Sequence, residues 1–169
     1  MNLDACWSPI CTVDVAPLQA WLAATDQPWS VVAENKPGRV LAESWPDTVQ
    51  RAIHAVCSHF DCDCVASRVM LSRMRPGQSH PMHVDNQRSN WITRVHVPIT
   101  TNPGCWMAFE EEGRWLPDHW ERPEVFLPGR THFAAGHAYT FNAVRRHAFG
   151  NDGETDRVHL IFDVLRRDT

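Results

Sequence analysis

Residues 91–99 read WITRVHVPI, a run of aromatic and β-branched residues followed directly by the turn-forming stretch TTNPG. Alternation of this kind belongs to a strand, and it sets Arg94 and His96 on one face, two residues apart. The same texture holds through the rest of the chain. From residue 65 onward, short segments rich in valine, isoleucine, threonine and aromatics are separated by glycine, proline and asparagine turns. Eight strands are predicted, over 65–74, 92–99, 106–110, 113–116, 125–127, 138–142, 147–149 and 157–165. That many short strands with tight connections predict a double-stranded β-helix, a jelly roll of the cupin kind, with helices packed on one sheet.

Upstream of residue 65 the pattern is helical. Pro17 stands where a first-turn proline belongs, with Leu18, Trp21 and Leu22 following at helical spacing. A second helix is predicted from Asp47 as N-cap, with Val49, Ala52, Ile53, Val56 and Phe60 forming one apolar stripe. The expectation is a mainly β protein with flanking N-terminal helices. A helical part over about 1–64 and a jelly-roll core over about 65–169 would make up a single domain.

Composition narrows the class. With 43% hydrophobic and 21% charged residues among 169, the chain is of globular rather than disordered type. A formal net charge of −4, with arginines spread along the chain, argues against a nucleic-acid partner. No apolar run is long enough for a membrane span, and the stretch MNLDACWSP carries acid early with no basic region before an apolar one, so a cytoplasmic protein is expected. The six cysteines are then expected as free thiols. Cys62-Asp63-Cys64 lacks the second ligand pair that a structural zinc site needs.

The chemistry-bearing pattern begins at His83-Val84-Asp85. A non-haem iron centre uses two histidines and one carboxylate on one face of the metal, leaving positions open for co-substrate and dioxygen. On a strand, residues i and i+2 point the same way, so His83 and Asp85 supply two ligands from one segment. Two similar triplets compete. His59-Phe60-Asp61 falls at a helix end, where i and i+2 splay apart, and His119-Trp120-Glu121 lies in a polar, proline-bounded stretch. His83 is favoured by its surroundings: a strand and the turn Arg75-Pro76-Gly77 before it, the Arg94/His96 strand after it, then His147 and, ten residues later, Arg157. A 2-oxo diacid chelating the metal by its oxo-acid end needs its distal carboxylate held nearby, and the fork of Arg157 suits that task.

These stretches resemble a known family, the aspartyl/asparaginyl β-hydroxylases among the iron(II)- and 2-oxoglutarate-dependent oxygenases, and are also similar to bacterial proline hydroxylases. The resemblance is carried by LSRMRPGQSHPMHVD from Leu71, RVHVPITTNP from Arg94, GHAYTFNAVRRHAFGN from Gly136 and DRVHLIFDV from Asp156. It implies His83 and His147 as iron ligands, with Ser72, Arg94, His96 and Arg157 around the co-substrate. Asp85 departs from the animal members and completes the triad as in the bacterial relatives. The reactants implied are Fe(II), 2-oxoglutarate and O2, with succinate and CO2 released as an aspartyl, asparaginyl or related amino-acid unit is hydroxylated.

The substrate expected is a small molecule, a peptide or a carrier-bound amino acid. Arg88, Trp91 and Arg145, which flank the metal-bearing segments, are its candidate contacts. Desaturation, epimerisation or cyclisation at the same iron site is the alternative within the class. A metal-binding cupin-like module without enzymatic activity is the alternative outside it. No feature of the sequence specifies an oligomeric state.

Overall fold

A computed structural model describes residues 7–27, 29, 37–40, 44–85, 90–109 and 129–167. In chain order these form β1 (Trp7–Thr12), α1 (Ala16–Ala24), β2 (Gly38–Val40), α2 (Asp47–Cys57), β3 (Cys64–Met74), β4 (Ser79–His83), β5 (Trp91–Thr100), β6 (Cys105–Phe109), β7 (His137–Phe141), β8 (His147–Asn151) and β9 (Arg157–Arg166). The strands make a six-stranded sheet of order β1-β7-β5-β9-β3-β2 and a three-stranded sheet of order β4-β8-β6. All pairings are antiparallel. The fold is the double-stranded β-helix that the strand pattern predicts.

Alternation along the strands builds two cores. Leu71, Val95, Val97, Ile99, Leu160, Phe162 and Val164 point to the outer face of the large sheet, where they pack with Leu18, Val49, Ala52 and Val56 of the two helices. Between the sheets lies a second, aromatic cluster that brings Met74, Tyr139 and Phe141 against Met107, Phe109 and Phe149. The helices thus cover one sheet only, and the interior between the sheets is left for the polar residues at alternate positions.

The N-terminal third is less helical than its pattern suggests. Trp7–Thr12 forms an edge strand on β7, with a bulge between Pro9 and Cys11, and Gly38–Val40 forms the opposite edge on β3. Both are edges, where proline is tolerated and one side goes unpaired, so neither carries the alternating signal of a central strand. β4 is also an edge, containing Pro81, and is likewise unread in the sequence pattern. Asp47 proves to be the first residue of α2 rather than its N-cap. Pro46 takes that position and no side chain caps the helix. Pro17 does stand in the first turn of α1. The strands predicted over 113–116 and 125–127 lie outside the described residues.

The turn before β4 follows directly from its residues. Pro76 fixes its own φ, Gly77 takes φ of 77°, and the Gln78 N–H closes on the Arg75 carbonyl at 3.1 Å, as a type II turn requires. It reverses the chain from β3 into β4 and so carries His83 into the three-stranded sheet.

Candidate active site

The inner face of β9 is unusually polar for a central strand. Arg157, His159, Ile161 and Asp163 alternate toward the interior, and each is buried. The register sets neighbours beside them: Met74 at Arg157, Ser72 and Pro98 at His159, Met70 and His96 at Ile161, and Arg94 at Asp163. The sheet therefore presents a grid of basic and imidazole groups to the space between the layers.

The three predicted ligands converge across that space. His83, Asp85 and His147 each offer a ligand atom, and these atoms all lie within 4.8 Å of one another. His83 ends β4 and His147 begins β8, and the two are paired in the sheet register. Asp85 lies just past the strand rather than within it, its N–H donating to the Ala143 carbonyl at 2.9 Å. Each ligand histidine is oriented by its own backbone. The His83 Nδ1–H donates to the Pro81 carbonyl at 2.8 Å and the His147 Nδ1–H to the Arg145 carbonyl at 2.9 Å. Both Nε2 atoms thus present lone pairs toward Asp85, at 3.7 and 3.5 Å from its oxygens.

Charge favours metal binding by this set. Burial, with the charge of His147 added, pushes the His83 imidazole below its usual range, toward the neutral form a ligand needs. At Asp85 burial opposes ionisation, but the neighbouring His147 ring and the Arg94 guanidinium outweigh it and hold the carboxyl well below the usual carboxylate range. Two neutral imidazoles and a carboxylate form the donor set of a non-haem iron(II) site, with one face left open.

Arg157 is 1% exposed, and burial lowers its pKa to about 10. Its Nε donates to His159 Nε2 at 3.1 Å, yet its Nη1 has no hydrogen-bond partner and no carboxylate pairs with it among the described residues. A buried cation in this condition is costly unless an anion joins it. His159 in turn contacts His96, Nδ1 to Nδ1 at 3.2 Å, and burial together with the charge of Arg157 drives both imidazoles well below their usual range.

Arg94 bridges two carboxylates. Its Nε and Nη2 grip Asp163 bidentately at 2.7 and 3.1 Å while its Nη1 donates to Asp85. It lines the cavity, but as structured here it ties a metal ligand to the large sheet. Asp163 and His159 are thus the residues that sequence reading missed. The available signal was the i, i+2 rule that set Arg94 beside His96, applied onward from Arg157.

A cavity of about 450 Å3 opens over this site, lined by Ser72, His83, Asp85, Arg94, His96 and His147 among others. Ser72 and His96 are buried within it. Trp91 lies behind, its indole N–H 3.4 Å from Asp163, and Arg145 sits in the turn before β8; neither lines the cavity. Arg88 falls outside the described residues, as does His119. His59 lies beyond α2, its Nδ1 on the Ala55 carbonyl, away from the other ligands. Cys11, Cys57, Cys62, Cys64 and Cys105 are free thiols, and no described helix is long and apolar enough to cross a membrane.

Comparison with known proteins agrees with this geometry. Residues 23–167 match the aspartyl/asparaginyl β-hydroxylase family. No match is found among curated protein sequences. Among solved structures, a Pseudomonas putida prolyl-4-hydroxylase is similar at a TM-score of 0.64 and 14% identity, over 96% of this chain and 94% of that one. An oxidoreductase of the 2OG-Fe(II) oxygenase family from Burkholderia pseudomallei gives 0.61 and 14%, over 91% and 78%. The non-haem α-ketoglutarate-dependent epimerase of nogalamycin biosynthesis gives 0.68 and 16%, over 95% and 78%.

Proposed function

The chain belongs to the aspartyl/asparaginyl β-hydroxylase family and is a non-haem dioxygenase using iron(II), 2-oxoglutarate and O2, and from that premise we propose that it hydroxylates an aspartyl, asparaginyl or related amino-acid unit. The unit would be free, in a peptide or carried on another molecule, and the single domain would act in the cytoplasm. The observation that carries the site assignment is the His83, Asp85 and His147 donor set, together with a buried guanidinium that has no carboxylate partner among the described residues.

The residues take the following roles. His83, Asp85 and His147 hold the metal, the imidazoles kept in the correct tautomer by the Pro81 and Arg145 carbonyls. Arg157 receives the distal carboxylate of 2-oxoglutarate, with His159 fixing the plane of the guanidinium and Ser72 and His96 lining the path to the metal. Iron and 2-oxoglutarate together supply an oxidant strong enough for an unactivated C–H bond, with succinate and CO2 formed. The aromatic wall of Phe141 and Phe149 keeps bulk water from the interior, and the protein's remaining task is to hold one C–H of the substrate toward the metal.

Anaerobic addition of iron(II) and then 2-oxoglutarate tests this. A visible charge-transfer band is expected in the wild type and none in His83→Ala. A wild type without the band would remove the site assignment.

A further inference from the structure

Of the three ligand side chains, Asp85 has the least support from its own strand. His83 and His147 belong to paired strands, and each donates from Nδ1 to a carbonyl two residues before it. Asp85 lies beyond the end of β4, tied by its N–H to the Ala143 carbonyl at 2.9 Å. Its carboxylate takes its direction from elsewhere. Oδ2 accepts from Arg94 Nη1, while among the described residues Oδ1 accepts no hydrogen bond and stands 3.7 Å from His83 Nε2.

Arg94 is itself aimed by the six-stranded sheet. It faces Asp163 across the β5–β9 ladder, and its Nε and Nη2 hold the two oxygens of that carboxylate at 2.7 and 3.1 Å. A guanidinium is planar, so a fork on two of its nitrogens fixes the direction of the third. Asp163 is 3% exposed, sits in a strand paired on both sides, and also has the Trp91 indole N–H at 3.4 Å. An ion pair serving the sheet alone would be complete with the fork. Here Nη1 continues across the interior and meets Asp85.

This contact divides the two oxygens of Asp85. A carboxylate that chelates one cation with both oxygens must turn both toward it. That rotation would draw Oδ2 away from Arg94 and leave Nη1 of an arginine only 9% exposed without its acceptor, a costly loss in the interior. Oδ1 is then the oxygen left to meet a metal. Binding through one oxygen keeps open a coordination position that chelation would fill.

We propose that Asp163 is a positioning residue for the metal centre: through Arg94 it reserves Oδ2 of Asp85, so that this ligand offers the metal one oxygen and the neighbouring position stays open to the co-substrate. The proposal deepens the oxygenase reading above and rests on it. It gives a part in the metal chemistry to a side chain of the opposite sheet that is not among the described residues lining the cavity. The imidazoles are set by the β4–β8 pair, and the carboxylate is steered from β5 and β9.

The test uses the full chain loaded anaerobically with saturating iron(II). One aliquot receives 2-oxoglutarate, and absence of the charge-transfer band in the wild type defeats the oxygenase reading whatever Asp163 does. A second aliquot, without co-substrate and isotopically labelled in its aspartate carboxyl groups, gives an infrared difference spectrum against the iron-free protein. The gap between the asymmetric and symmetric carboxylate stretches is wide for one-oxygen coordination and narrow for two-oxygen coordination. The wild type should show the wide gap. Asp163→Asn and Arg94→Lys, which lose the fork, should narrow it and weaken 2-oxoglutarate binding to the iron-loaded protein by about tenfold. Asp63→Asn, an equal charge change in an exposed pair with Arg167, should leave both as in the wild type. Arg94→Lys keeps the interior positive charge and decides the matter if Asp163→Asn does not fold. A role in sheet stability alone would lower the urea midpoint and leave the gap wide. A narrow gap in the wild type, a wide gap in either folded variant, or unchanged 2-oxoglutarate affinity in both overturns the proposal.

Discussion

Among the described residues, Arg157 holds its charge in the interior with an imidazole, a thioether and an aromatic face against it. Replacing such a group by an apolar side chain of similar length removes a desolvation cost that nothing in the protein itself offsets. Arg157→Met should therefore raise the stability of the ligand-free protein, by roughly 1–4 kcal/mol, while abolishing the rise in Tm that 2-oxoglutarate gives the wild type. Urea unfolding and a thermal shift measure the two halves. Asp163 behaves in the opposite way, because it is one half of a pair. Asp163→Asn leaves Arg94 buried with a single acidic partner and should cost about 3–5 kcal/mol. It should also weaken iron binding by about tenfold, since the residue orienting Asp85 is loosened. Unchanged iron affinity in a folded Asp163→Asn protein would show that Arg94 needs no second anchor. The pairing of His83 with Asp85 was legible from their spacing, whereas Asp163, though on the i, i+2 face of Arg157, interrupts the apolar run IFDV and shows its purpose once its register with Arg94 is known.

At the scale of elements, β8 shows how a strand serves both packing and site. His147 begins it, and Gly150 lies farther along, with the Trp106 indole laid across so closely that an added Cβ would stand 2.5 Å from the ring. That indole cannot retreat freely, being hydrogen-bonded to Asp152 at 3.0 Å and capped by the Arg130 guanidinium at 4.2 Å from its centroid. Gly150→Ala should destabilise by about 1–3 kcal/mol through overpacking, read as a lower urea midpoint. Central strands such as β5 and β9 were visible in the sequence because both faces must alternate under constraint. The edges β1, β2 and β4 were not, since a strand paired on one side tolerates proline, bulges and exposure that erase the signal.

For the molecule as a whole, the buried imidazoles of His96 and His159 couple stability to pH. Both are held neutral, first by burial and then by the charge of Arg157, with pKa values far below the ordinary 6.5. The unfolded chain therefore takes up protons that the folded one refuses as pH falls below about 6.5. By linkage, stability is fully present above that value and declines below it, by up to about 1.4 kcal/mol per pH unit for each group. Urea midpoints of the metal-free protein should drop between about pH 6.5 and 5. A flat profile there would mean that neither imidazole is held neutral in the native state. Which residues share a sheet face was predictable from period two. Which strands lie side by side, and hence that His83 and His147 pair across β4 and β8, depends on long-range register that no local pattern encodes.

Among the described residues, the strand that carries His83 is paired along one side, whereas the strand carrying Arg157, His159 and Asp163 has hydrogen-bonded neighbours on both. Thermal fraying begins where the ladder is thinnest. His83 is accordingly expected to open before His147, whose strand is paired on both sides, while Arg157 on β9 stays in place. Exchange of an ion is then expected to proceed by local opening of β4, with the strands packed around β9 left intact.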